Sequence, residues 1–291
     1  MTILLDDIYS AIQEASYKFP NIKEIVLNGG FTGVWLDDDT MGVAMNVRSG
    51  VSGSDEDVEA LHFLIGQDTR EAVTRLSGQI DAAPEGTPQR YLHTSVLVAL
   101  YNALSQPFVS PDALSAKGYS VVTDSRIGPP DLVRPGETVT IVGFGGLVRP
   151  ISRIAKKTYV TELEPSLFTS MNLSQRGLTP GPTCAYVVPA GEARACFAKS
   201  DCIFVTGCAL VTGTMDEILS LCEGKKVIVY GSTAAFIPAP LFDRGVNSVH
   251  ASRVTNPALM ADFLLNCGGA VERFFPQAGE SYVVEYVRAY C

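Results

Sequence analysis

The strings CIFVTGC (202–208) and VIVYGST (227–233) decide the fold. Each is a β-branched run that ends in glycine with small polar residues around it. A buried parallel strand that hands a ligand loop to the carboxyl edge of an α/β sheet has this form. The two strings predict a site lined by Thr206, Gly207, Cys208, Gly231, Ser232 and Thr233. No nucleophile, base and orienting group stand at recognisable spacing. The sequence therefore marks a place more clearly than a reaction, and leaves open whether the protein is an enzyme.

The alternation of strand and helix extends around these strings. TVTIV (138–142), TYVT (158–161) and 185–189 read as strands, and 151–155 and 190–199 as helices. Residues 177–182 read as a Pro/Gly-rich loop. Beyond Cys208, Thr214 and Glu217 form a capping box, Met215, Ile218, Leu219 and Cys222 make one helix face, and Gly224 suits its end. Residues 246–250 read as the next strand. Asn256 and Pro257 open a helix as cap and first residue, Gly268 closes it, and 282–287 reads as a last strand. The pattern predicts a doubly wound, Rossmann-like sheet.

The first third reads differently. Leu4, Leu5, Ile8, Ile12 and Ala15 predict an amphipathic helix. Strands follow at 22–28, 31–36 and 41–47, then a polar loop at 49–56 and helical stretches at 57–79 and 91–105. A meander followed by helices predicts a small α+β domain, residues 1–106. Pro107, Pro111, Pro129, Pro130 and Pro135 make 107–137 a junction, and the Rossmann-like domain is expected over 107–291.

The composition is that of a globular protein, 46% hydrophobic and 18% charged. A net charge of −9 argues against nucleic-acid and anionic-membrane partners. No apolar run reaches the roughly 20 residues that a transmembrane helix needs. Seven cysteines without a C-x-x-C pair, and no signal-peptide pattern, give the expectation of reduced thiols in a cytoplasmic protein. The acidic charge fits a soluble homo-oligomer.

Three places carry candidate chemistry. Gly143, Phe144, Gly145 and Gly146 follow the strand at 138–142. Such a loop either lets backbone amides cradle a phosphate or makes a tight turn. Glu162 follows about 20 residues on, where dinucleotide-binding folds place a ribose-binding acid, but Val148 stands where a third glycine belongs. The loops at 206–214 and 231–238 offer the hydroxyls of Thr206, Thr214, Ser232 and Thr233, with Thr214 read first as a helix cap. Cys208, at a strand end before a helix, is read as a soft-metal ligand, a nucleophile or a buried apolar residue. His250 ends a strand facing the same crevice, whereas His62 reads as surface. Asp37, Asp38 and Asp39 read as a solvated turn.

TGCALVTGTMDEIL (206–219), YGSTAAFIP (230–238), LFDRGV (241–246), VGF (142–144), TELEP (161–165), FTGVWL (31–36), MGVA (41–44) and YNA (101–103) together resemble a two-domain family, the putative heavy-metal chelation family. That resemblance implies an enolase-N-terminal-like domain joined to a Rossmann-like one. It implies a ligand cleft between them, to which Asn102 and Thr32 contribute from the small domain. It further implies a metal ion or a metal-chelating metabolite as ligand, for which Cys208 and His250 are the expected metal ligands by their own chemistry, as thiolate and neutral imidazole. The alternative is an enzyme that holds a nucleotide or other phosphate-bearing molecule at Gly143–Gly146 and Glu162. Three departures fall in the supposed site: Cys208 stands where the family more often has a hydroxyl, Tyr230 where many members begin Gly-Pro-Ser, and His250-Ala251-Ser252 where a glycine-rich ending is usual.

Overall fold

The computed structural model describes residues 2–16, 18–47, 58–123, 128–266 and 275–286. The polar loop at 49–56, Gly268 and Val287 lie outside the described residues.

The chain opens with the helix Ile3–Ala15, which buries Leu4, Leu5, Ile8 and Ile12. Strands β1 (Ile22–Leu27), β2 (Phe31–Leu36) and β3 (Met41–Met45) form an antiparallel meander. Helices Thr69–Ala82 and Pro88–Ser105 follow. This is the small α+β unit. The helix expected over 57–79 begins only at Thr69. Asp68 caps it by accepting from the Arg70 amide at 2.9 Å, and the Asn21–Asp68 bridge ties the start of the helix to the chain entering β1. That cap is a local side-chain bond between residues two apart, which apolar spacing does not show.

The β-branched runs beyond Thr138 build the larger sheet. Its strands are β4 (Ser120–Val122), β5 (Thr138–Val142), β6 (Lys157–Glu162), β9 (Tyr186–Pro189), β10 (Cys202–Thr206), β11 (Lys226–Tyr230), β12 (Ser248–Val254) and β13 (Gly279–Glu285). They lie in the order β4-β13-β12-β11-β10-β5-β6-β9. The six from β12 to β9 are parallel, and β13 and β4 are antiparallel additions. Counted from β5 along the chain, the parallel strands take the spatial order 3-2-1-4-5-6, that of a Rossmann fold. Alternate residues serve the two faces. Ile203 and Val205 enter one core cluster, while Cys202 and Phe204 enter another. Burial on both sides is why these strands read as unbroken apolar runs.

Four details depart from expectation. The Pro-rich junction contains a helix, Pro111–Ala116, capped by Ser110, and then β4; both are too short to show periodicity. Residues 177–182 are mostly strand: β7 (Ser170–Ser174) and β8 (Gly177–Gly181) form a hairpin. The strand expected at 246–250 runs instead from Ser248 to Val254, prolonged by its pairing with β13. Finally, a short helix, Cys208–Val211, precedes the helix expected after Thr214, which runs Met215–Ser220.

The two parts interlock. The opening helix is tied to the later half: the Leu4 amide donates to Asp216 Oδ2 at 3.1 Å, and Arg244 bridges Asp7 and Asp216. In return the helix Pro257–Asn266 brings Met260, Phe263 and Leu264 against Val26, Phe31, Met41 and Val43 of the small sheet. The opposite side of that sheet packs on Pro88–Ser105. Among the described residues, no helix is long and apolar enough to cross a membrane.

Candidate functional site

The candidate site is built from the carboxyl ends of β10 and β11. The ladder runs one residue past each strand: the Gly207 amide donates to Tyr230 O at 2.8 Å, and the Gly231 amide to His250 O at 2.9 Å. The chain then turns sharply. Gly231 has φ +106 and Gly143, at the end of β5, has φ +85; side chains rarely tolerate this region. The loops are also pressed together. A Cβ on Gly207 would lie 3.0 Å from the Ala234 nitrogen and 3.1 Å from Thr233 Cβ, and one on Gly143 would lie 3.2 Å from Thr206 Cγ2. Gly143, Thr206, Gly207, Gly231, Ser232 and Thr233 thus meet along one edge, at the point where the strand order reverses between β5 and β10.

Asn102 and β3 close this edge from the small sheet's side. Asn102 is fully buried in the helix Pro88–Ser105. Its Nδ2 donates to Val43 O at 2.8 Å, Thr233 O at 3.1 Å and Ser232 O at 3.3 Å. The Met45 amide donates to Thr233 Oγ1 at 2.9 Å. One amide group therefore gathers carbonyls from both sheets. Three acceptors around Nδ2 also fix which way the side-chain amide points. Asn102 Oδ1 is buried and has no protein partner.

Cys208 is half-buried beside this contact, its amide donating to Thr206 Oγ1 at 3.3 Å. Its Sγ lies 3.1 Å from Met45 Sδ and donates to it. Met45 is the functional candidate that sequence reasoning missed. A methionine ending a half-buried strand reads as core, and only the chain's return brings the thioether to the thiol.

The remaining candidates are placed as follows. Thr32 is fully buried within the small sheet, 2.9 Å from Ser95 Oγ and 3.3 Å from the donating Asn46 Nδ2. Glu162 turns both carboxylate oxygens on its own surroundings, accepting from the Phe144 amide at 2.7 Å and the Leu163 amide at 2.8 Å. The Phe144 ring stacks on Phe168 at 4.6 Å, while Gly145 borders open space. Thr214 does not make the expected cap. Its backbone is already helical, and its hydroxyl lies 2.9 Å from that of Thr212. A side chain caps from an extended residue, which this one is not. Asp37 and Asp38 accept backbone amides in their turn, and Asp39 pairs with Lys23 at 3.5 Å. Cys202 and Cys222, by contrast, are packed thiols whose burial pushes their pKa up to about 12.

His250, half-buried on β12 between Tyr230 and Val283, has its pKa pushed down by burial. It is therefore neutral at pH 7, the form that binds metals. The sign for stability follows. The unfolded chain binds the proton more readily, so the His250 contribution is complete above about pH 6.5 and is lost as the pH falls toward the lower folded value. Thermal unfolding followed from pH 8 to 5 is expected to show a smaller acid loss in His250→Gln than in the parent. Parallel curves would remove His250 as the cause.

Among the described residues, no group of three or more His, Cys, Asp or Glu side chains could hold a metal. Cys208 and His250 are not part of such a cage. An open depression of about 790 Å³ lies at the other end of the sheet, lined by Asp216, Lys226, Asp243, Arg244 and Asn247. It adjoins the amino ends of β11 and β12, away from the edge where doubly wound sheets bind ligands.

A family model described as putative heavy-metal chelation, DUF364, matches residues 129–284. The chain belongs to the DUF364 family. Two solved DUF364 structures, each of a protein of unknown function, share its fold. The one from Desulfitobacterium hafniense is 17% identical with a TM-score of 0.67, over 97% of this chain and 98% of that one. The one from Pyrococcus horikoshii is also 17% identical with a TM-score of 0.67, over 98% and 100%. No curated protein matches the chain. DUF364 membership accounts for the loops at 206–214 and 231–238, which lie inside the matched region. Asn102 and Met45 lie before it.

Proposed function

We propose that this DUF364 protein binds a soft metal ion, or a small metabolite carrying one, at the seam between its two sheets. The observation that carries the reading is the sulfur pair: Cys208 Sγ and Met45 Sδ, 3.1 Å apart and delivered by different sheets. Thiolate and thioether donors favour soft metals over magnesium or calcium. The donor set also limits the alternatives. Without a cage of three or more His, Cys, Asp or Glu among the described residues, the protein does not by itself present the four ligands of a structural zinc site. Two sulfurs suit either a soft ion of low coordination number or a chelate that brings donors of its own. In the latter case the Gly207 and Ser232 loops supply backbone and hydroxyl contacts to the organic part, and neutral His250 is a further donor.

The test is a titration with silver(I) in a background with Cys184, Cys267 and Cys291 changed to serine, because Cys184 is exposed among the described residues and all three thiols would compete for silver. One ion per chain is expected, bound more tightly as the pH rises, because the thiol must lose its proton. Adding Cys208→Ala is expected to weaken binding by about 100-fold, and Met45→Leu by about 10-fold. Equal affinity in all three proteins would sink the reading.

A second reading, a nucleotide or phosphate-bearing ligand with the protein as an enzyme, is favoured by one observation. The 3-2-1-4-5-6 order puts Gly143 at the crevice where such folds bind dinucleotides. Glu162 weighs against it, since both of its oxygens already accept backbone amides. Saturation by ATP or NAD that Gly145→Val abolishes and Cys208→Ala spares would favour this reading over the first.

A further inference from the structure

The hairpin of β7 and β8 is strictly two-faced. Across it Met171 pairs with Pro180 and Leu173 with Leu178, while Ser170 pairs with Gly181, Asn172 with Thr179 and Ser174 with Gly177. Opposed residues in an antiparallel ladder project to the same side. One face is therefore wholly apolar and the other wholly polar or glycine. That alternation is the pattern of a strand pair with one side in a core. Yet every residue from Ser170 to Pro180 is exposed, with Met171 at 68%, Leu173 at 81% and Leu178 at 61% of full accessibility.

The surroundings carry the same signature. Leu163, Leu167 and Tyr186 are also exposed, and the turn Pro165–Phe168 contacts β9, the edge strand of the large sheet. From Pro165 to Gly191 the only charged residue is Arg176, at the hairpin turn, although 18% of the whole chain is charged. Depletion of charge around apolar side chains marks the centre of a protein interface rather than solvent-facing surface.

We propose that the apolar face of this hairpin, with the adjoining 163–168 turn and Tyr186, is the dimerisation surface, covered by the same surface of a second copy. Three arguments favour a second copy. An isologous contact needs a patch that complements itself, and the hairpin's apolar face stacks on its twin without burying an ion, the nearby charges of Glu164 and of Lys157, 4.5 Å from the Tyr186 ring centroid, lying outside the hairpin. The six exposed side chains present roughly 700 Å², close to the ~800 Å² per partner of a standard interface. Finally, a chain of net charge −9 repels its copies and anionic lipid alike, and this stretch is where that repulsion between copies is least.

Sedimentation velocity on the full chain tests this. The unmodified protein is expected at twice the 31.1 kDa chain mass. The double substitution Leu173→Glu with Leu178→Glu is expected to weaken the dimer by about 100-fold or more, leaving monomer with an unchanged circular dichroism spectrum. Asn172→Glu, on the polar face, is expected to remain dimeric. All three positions are already exposed, so none of the changes threatens the monomer fold. A monomer persisting in the parent protein at about 50 μM would overturn the proposal, because a dimer of this area is stable at that concentration. So would a dimer that the double substitution leaves intact, or flotation of the parent with phosphatidylcholine–phosphatidylglycerol vesicles that the double substitution abolishes.

Discussion

Replacing Asn102 by leucine is expected to destabilise the protein by about 3 to 5 kcal/mol, because each buried acceptor left without a donor costs ~1–3 kcal/mol. Leucine keeps the branching of asparagine with somewhat bulkier ends, so overpacking adds to the main loss, that of one amide serving Val43 O, Thr233 O and Ser232 O. Val43 and Thr233 are buried like Asn102 itself, whereas Ser232 is partly exposed, so the cost falls mainly on the first two carbonyls. Asn102→Asp should be worse at neutral pH. A carboxylate would face three carbonyl oxygens in a dry site, and part of the loss should return below about pH 5 as the acid takes up a proton. Urea unfolding at pH 7.5 and pH 5 measures both effects. A loss below about 1 kcal/mol for the leucine variant would show that the three carbonyls find other donors.

Gly42→Val is expected to leave no stably folded protein at 37 °C, and Gly42→Ala to cost about 3 kcal/mol or more, the upper range for overpacking. Gly42 lies on β3 directly under the helix Pro88–Ser105. A Cβ there would meet the Ala99 carbonyl oxygen and the Ala103 nitrogen at impossible range, and Asn102 Cβ at 2.7 Å. Backbone cannot swing aside as a side chain does, so the helix itself would have to rise from the sheet. Asn102 would then be pulled away from Val43, and both changes would act on the same seam. A double-substitution cycle with Asn102→Leu is therefore expected to fall well short of additive. Full additivity would mean that the helix stays in place and the strain is absorbed elsewhere.

The parts of this molecule legible in the sequence were those set by local repetition. Runs such as 138–142, 202–206 and 227–230 lie between sheet faces that are both buried, and such strands leave a nearly continuous apolar mark. The glycines that end them are visible because the turn after a parallel strand needs unusual backbone angles, as Gly143 and Gly231 show. Thr206, Gly207 and Thr233 could therefore be placed at one edge. What could not be read was pairing between distant elements. Nothing near Met45 announces that Cys208 will face it, whereas the cap at Asp68, with Glu71 three residues on, is a local signal that apolar spacing alone passes over. The strand β4 has three residues and takes its place only from β13. Thr214 shows the opposite error, where a local motif was present but the backbone had already entered the helix.

The crossing of the two end helices has a consequence for biosynthesis. Residues 22–45 make their sheet early in translation, but one side of it is covered by Met260, Phe263 and Leu264, more than two hundred residues later. The Asn28 side chain likewise awaits the Leu264 carbonyl, to which it donates at 3.0 Å. While the ribosome adds roughly 5 to 20 residues per second, Phe31, Met41 and Val43 remain without their cover for on the order of ten seconds or more. A nascent chain with such a wait is a natural client for a chaperone, since this sheet is finished only when a segment made more than two hundred residues later arrives to cover it.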